Sequence, residues 1–137
     1  MNKINLKTLA QKKKIIYNKY SYKNILGGLT LKNKFLENLT IDELKDSYKE
    51  YLNILNIKRK TRTMYLTNAF YLHRNDNSID FLELLQNDNF EDIAIERLEY
   101  IIPKIFKGNP KNIDENIRFF FSHIKRLKRY VDSYNKN

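Results

Sequence analysis

A chain of 137 residues with 42% hydrophobic and 13% aromatic side chains can bury one core and is too apolar to stay disordered. It carries 26 Lys+Arg against 16 Asp+Glu, a net charge of +10, and such a balance favours polyanionic partners. With no cysteine it forms no disulfide, thiolate metal site or cysteine nucleophile, and no apolar run approaches the ~20 residues of a membrane span, so a soluble cytoplasmic protein is expected.

Part of the lysine excess has a compositional explanation, because Lys, Asn, Ile, Tyr and Phe are all abundant, as A+T-rich coding produces. Arginine is less subject to that bias. Six of the seven arginines fall in two segments, 59–74 and 118–129, and this clustering carries more weight than the total.

Residues 1–34 hold nine Lys and no acidic residue, with Ile4, Leu6, Leu9, Ile15, Ile16, Tyr17 and Tyr20 in a partial helical pattern that Gly27-Gly28 ends. They form a docked helix or a basic arm ahead of a helical core domain, 35–137. Tyr17, Tyr20 and Tyr22 alternate with Lys19 and Lys23, a pattern that suits either base stacking or the rim of a core. Thr30 can cap a short helix through Asn38.

Thr40 and Glu43 have the spacing of a capping box, and Ile41, Leu44, Tyr48, Leu52 and Leu55 recur at helical intervals to a stop near Asn56. The opposite face is polar, with Asp42, Glu43, Asp46, Lys49 and Glu50. A central helix is predicted from Lys60 to Arg74, mostly buried through Tyr65, Leu66, Ala69, Phe70, Leu72 and His73. Asn75-Asp76-Asn77 signals a turn, Ser78 caps a short helix from Ile79 to Leu85, and Asn87-Asp88-Asn89 is a second turn. A further helix follows Phe90, Ala94, Leu98, Ile101 and Ile105, with a kink or an end expected near Ile102 because of Pro103. Gly108-Asn109-Pro110 breaks the chain. Asn112 with Glu115 is then read as the cap of a final helix, Ile113 to Tyr134, whose apolar stripe is Ile117, Phe120, Phe121, Ile124, Leu127, Val131 and Tyr134. No strand pattern or long repeat competes, so the expected fold is all-α, a compact single-domain bundle of five to seven helices.

The candidate functional residues are cations. Lys58, Arg59, Lys60 and Arg62 crowd the start of the central helix, where positive charge opposes the macrodipole but free backbone N–H groups suit a phosphate. Arg74 closes the same segment. Arg118, Lys125, Arg126 and Arg129 form a second stripe, with Arg118, Ser122, Lys125 and Arg129 at i, i+4, i+7 and i+11. Both sets read as nucleic-acid contacts or as solvated faces. The acidic stretch 76–99 faces away from a polyanion, docks a basic partner, or is a solvated surface. No catalytic frame is visible: the carboxylates, Asp42, Asp46, Asp76, Asp80 and Glu83 among them, lack a convergent partner, and Asp76 and Asp80 fit turn and capping roles. His73 and His123 have no i+4 histidine to share a metal, and Gly27, Gly28 and Gly108 make no phosphate loop. No enzyme, cofactor, metal site or small-molecule substrate is expected.

The segment SYKEYLNILNIKRKTRTMYLTNAFYL, Ser47 to Leu72, resembles the N-terminal core-binding (SAM-like) domain of phage-integrase-type tyrosine recombinases. That family has an amphipathic helix, a loop, a basic Thr-containing start and a Tyr-rich second helix. Thr61, Tyr65 and Phe70 stand where its pattern has Thr, Tyr and an apolar residue. FFFSHIKRLKRYV, Phe119 to Val131, is similar to the last helix of the domain, so the resemblance spans roughly residues 36–134. Related modules sit at the front of some restriction-type enzymes. The resemblance implies a helical module laid against duplex DNA, with Lys58, Arg59, Lys60 and Arg62 near the backbone. The family's catalytic domain is not matched: His123-Ile124-Lys125-Arg126 repeats its His-x-x-Arg by letter only, and Tyr130 and Tyr134 follow too closely to be its nucleophile. A non-catalytic DNA-binding domain, or an accessory protein of a mobile element, is the first expectation. A small protein-interaction module with a protein partner, such as a phage or plasmid inhibitor of a host defence complex, is the second.

Overall fold

The computed structural model describes residues 35–107 and 109–134. The readings of the lysine-rich start, including the Thr30 cap and the Tyr17–Tyr22 pattern, lie outside the described residues; of the short helix expected through Asn38, residues 35–38 are described and form a turn. Among those described there are six helices and no strand.

Helix α1, Ile41–Ile54, starts at the capping box its sequence announces. The Glu43 amide donates to Thr40 Oγ1 at 3.1 Å, and the Thr40 amide donates to Glu43 Oε1 at 2.9 Å. Leu44, Tyr48 and Leu52 turn inward and are buried. Leu55 does not continue that stripe. The helix has ended, Leu55 is in extended backbone, and Ile54 and Leu55 are 79% and 36% exposed.

The central helix is not continuous. It consists of α2, Arg59–Ala69, and α3, Tyr71–Asn75, separated by Phe70 at φ −104° and ψ 20°. Ala69, Phe70, Tyr71 and Leu72 are all buried. Four successive residues cannot share one face of a straight helix, because each is turned about 100° from the last. One non-helical residue lets all four face the core, and the ladder resumes with Arg74 N–H to Phe70 O at 3.1 Å. The break also corrects the expectation of a mostly buried helix: in α2 only Ala69 is buried, while Tyr65 and Leu66 are half-buried.

The next helix, α4, is shorter than expected, Phe81–Leu84, and its cap is Asp80 rather than Ser78. Asp80 accepts from the Glu83 amide at 3.2 Å. Ser78 is held elsewhere, since both its amide and its hydroxyl donate to Asp76 Oδ1. The same carboxylate meets Arg97 of the next helix, α5 (Phe90–Ile105), in a fork, Nε to Oδ2 at 2.7 Å and Nη2 to Oδ1 at 3.2 Å. This buried pair ties the turn after α3 to the middle of α5.

Helix α5, Phe90–Ile105, runs through Pro103, so of the kink or end expected near Ile102 the end does not occur. Pro103 stands in the last turn and removes only the bond its own N–H would have made to Glu99. Both residues are on the exposed side, and the ladder closes beyond them with Phe106 N–H to Ile102 O at 2.8 Å. Helix α6, Pro110–Ser133, begins three residues earlier than Asn112 and Glu115 suggest. Asn109 is the cap, accepting from the Asn112 amide at 3.0 Å, and Pro110 takes the first helical position, where a missing N–H costs nothing.

Helix α6 packs against both α2 and α5, and α1 packs on α2. Phe120, Ile124, Leu127 and Val131 are buried as their spacing predicts, but so are His123 and Tyr130, and Tyr134 is exposed. Tyr71 stacks on Phe120 at 3.7 Å, while Tyr65 meets His123 at 5.5 Å, so α2 and α3 run antiparallel to α6. At the other end Tyr48, Tyr51 and Tyr130 form a ring cluster with centroids 4.6 to 6.1 Å apart, and Ser47 shares a hydrogen bond with the Tyr130 hydroxyl. No helix among the described residues is long and apolar enough to cross a membrane.

Candidate nucleic-acid interface

The start of α2 differs from the other long helix starts. Helices α1 and α5 place Asp42, Glu43, Glu91 and Asp92 in their first turns, and α6 has the Asn109 side-chain cap. Helix α2 has neither: Lys58 stands at the cap with no side-chain hydrogen bond, and the first turn holds no acid. Lys58, Arg59 and Lys60 are exposed and form no ion pair with a described residue. Positive side chains therefore surround the positive end of the helix dipole, next to N–H groups without helical partners.

Arg62 behaves differently. It is half-buried and its Nη1 donates to the Ile57 carbonyl at 2.9 Å, which fastens the incoming loop to the helix. Arg74, at the far end of α3, donates from Nη1 to the Thr67 carbonyl at 2.6 Å and holds its guanidinium 5.9 Å from the Tyr71 ring centre. Its side chain remains exposed.

The second set divides among three directions. Arg118 and Arg129 lie on the outer face of α6, opposite the buried stripe. Lys125 leans toward α5, 3.3 Å from Glu91 and over the Phe121 ring. Arg126 turns toward α2 and stacks on Tyr65 at 4.1 Å, with its Nε buried and without a hydrogen-bond partner. Lys125, Lys128 and Arg129 share a depression with Asp88, Glu91, Asp92 and Asp132, so the α5 flank of this stripe is of mixed charge. The antiparallel packing puts Arg118 toward the Arg74 end and Lys58–Arg62 toward the opposite end.

His123 and Arg126 come together, but inside the α2–α6 seam. His123 is 4% exposed, hemmed by Tyr65 and Phe119, and its Nδ1 has no partner. Burial, and secondarily the Arg126 charge, hold its pKa below the usual histidine value. The unfolded chain therefore binds a proton that the folded one refuses. Stability is greatest above about pH 6.5 and falls as pH drops below it, until the folded His123 also protonates. Urea melts between pH 7.5 and 5.5 should show this decline, and His123→Gln should flatten it; an unchanged slope in the variant would refute the assignment. Among the described residues no three His, Asp or Glu side chains gather as metal ligands do.

The structure adds Lys49 of α1 to the Lys58–Arg62 end, where it lines one cleft with Arg59 and Arg62. In the sequence Lys49 is one of several polar residues on an amphipathic face, and no local signal links it to a segment ten residues on. No family model matches this chain, and neither a curated protein nor a solved structure matches it.

Proposed function

We propose that this chain is a non-catalytic DNA-binding helical domain, laid against duplex backbone phosphates through the start of α2. The observation that carries the reading is the acid-free, uncapped first turn with Lys58, Arg59 and Lys60 exposed around it. Arg118 and Arg129 offer further exposed cations, and Arg74 stands at the Arg118 end. Lys125 contributes less, because Glu91 already meets it, and Arg62 and Arg126 serve mainly to hold α2 in place. The resemblance to recombinase core-binding domains supports the same use, as a recombinase or restriction-type module or an accessory protein of a mobile element. A second reading, an inhibitor that occupies a protein surface of a host defence complex, is favoured by the exposed Ile54, Tyr100 and Phe119.

Salt dependence separates the two. Replacing Lys58, Arg59 and Lys60 together by Ala should weaken binding to unrelated duplexes about equally, since phosphate contacts position a protein without reading bases. Each lost contact should flatten the plot of log affinity against log salt by roughly 0.9. Stability should hold or rise slightly, because these cations oppose the helix dipole. Equal salt slopes for the wild type and the triple variant would remove the case for DNA.

A further inference from the structure

We infer that the cleft between α1 and α2 seats a single phosphate group, gripped by side chains from both helices. Lys49 and Asn53 line it from α1, and Arg59, Arg62 and Thr63 from α2, with Leu52 and Leu66 completing the walls. Its volume is about 230 Å³. That is below the ~300–1,000 Å³ of sites for drug-sized ligands, so it suits a small anionic group better than a nucleoside.

The charge pattern selects the anion. Three cations line this cleft and no carboxylate does. Two other depressions among the described residues include acids: Glu115 beside Phe106 and Phe119, and Asp88, Glu91, Asp92 and Asp132 beside Lys125 and Arg129. The ion pairs among the described residues are Arg97–Asp76, Lys125–Glu91 and Lys128–Asp132, so none neutralises Lys49, Arg59 or Arg62. Like charges gathered in a recess repel one another, and a bound anion converts that repulsion into attraction. Arg62 commits one nitrogen to the Ile57 carbonyl, which fixes its guanidinium plane and leaves other N–H donors of the fork free. Thr63 and Asn53 add neutral donors. A tetrahedral group with several acceptor oxygens matches this set.

The inference deepens the DNA-backbone reading and rests on it for the source of the phosphate, an internal phosphodiester or a strand's terminal phosphate. Lys49, Asn53 and Thr63 are not among the residues replaced in the salt-dependence test of duplex binding, so the two can fail separately. Inorganic phosphate titrated at constant ionic strength into the isotope-labelled full chain should saturably shift the amide resonances of Asn53, Arg59 and Thr63. Lys49 is exposed, so Lys49→Ala should keep the fold by circular dichroism and weaken phosphate binding roughly tenfold, the effect of one lost charge-assisted contact. The same variant should weaken binding of DNA strands. A loss confined to strands with a terminal phosphate identifies that group, and an equal loss without it identifies the backbone; either supports the seat. Phosphate affinity unchanged in both Lys49→Ala and Thr63→Val, with duplex binding intact, overturns the seat and leaves the DNA reading standing. Phosphate bound in the cleft without any duplex binding overturns the DNA reading alone.

Discussion

Replacing Arg97 by Leu should lower stability by about 3–5 kcal/mol, the usual loss when one partner of a buried ion pair is removed. Asp76 and Arg97 have side chains only 3% and 13% exposed. The Asp76 carboxylate takes two bonds from Arg97 and two from Ser78, so losing the guanidinium leaves charge in a place water barely reaches. The reverse change is milder. Arg97 also lies 4.8 Å from the exposed Tyr100 ring and can swing outward, so Asp76→Asn, which keeps an oxygen for Ser78, should cost less than Arg97→Leu. Urea unfolding of both single variants and the double variant checks this, and a cost below about 1 kcal/mol for Arg97→Leu would mean that the pair contributes little.

Phe70→Ala should cost a similar amount, about 3–5 kcal/mol, through lost transfer energy and the cavity left behind. Phe70 is fully buried, its ring lies 5.8 Å from that of Phe81, and it occupies the break between α2 and α3. Phe70→Leu keeps most of the volume and should lose much less. If the two variants melt alike, ring volume is not what holds the break. A shift of the urea midpoint with an unchanged slope would place the effect on stability rather than on compactness.

The features legible in the sequence are those decided within one or two helical turns. Thr40 with Glu43 starts α1 as their spacing says, and the buried Leu44–Tyr48–Leu52 and Phe120–Ile124–Leu127–Val131 stripes follow from periodicity. Asn109-Pro110 is also a local signal, but Asn112 with Glu115 competed for the same helix start. The break at Phe70 has no glycine or proline to mark it and arises from the core's demand for four adjacent side chains. The candidate interface divides along the same line. Lys58, Arg59 and Lys60 are exposed, as a run of cations outside an apolar stripe should be. Arg62 and Arg126 carry the same letters and charge, yet one holds a loop carbonyl and the other covers Tyr65. Those roles, and the arrival of Lys49 beside Arg59, depend on how α1, α2 and α6 pack, which no short window of sequence encodes.

The tyrosine cluster between α1 and α6 gives the molecule a built-in optical reporter. The chain has no tryptophan, so its ten tyrosines carry the near-ultraviolet signal, and Tyr48, Tyr51 and Tyr130 are ring neighbours. Burial raises the phenol pKa of Tyr48, and it pushes that of Tyr130 up to about 12. An unfolded tyrosine ionises near pH 10, so the folded chain keeps protons there that the unfolded chain gives up. Stability is thus intact below about pH 10 and erodes above it. An alkaline titration followed by phenolate absorbance should show a late step from Tyr48 and Tyr130 that coincides with loss of helix. In a protein without indole, the colour change of its own core reports when α1 and α6 part.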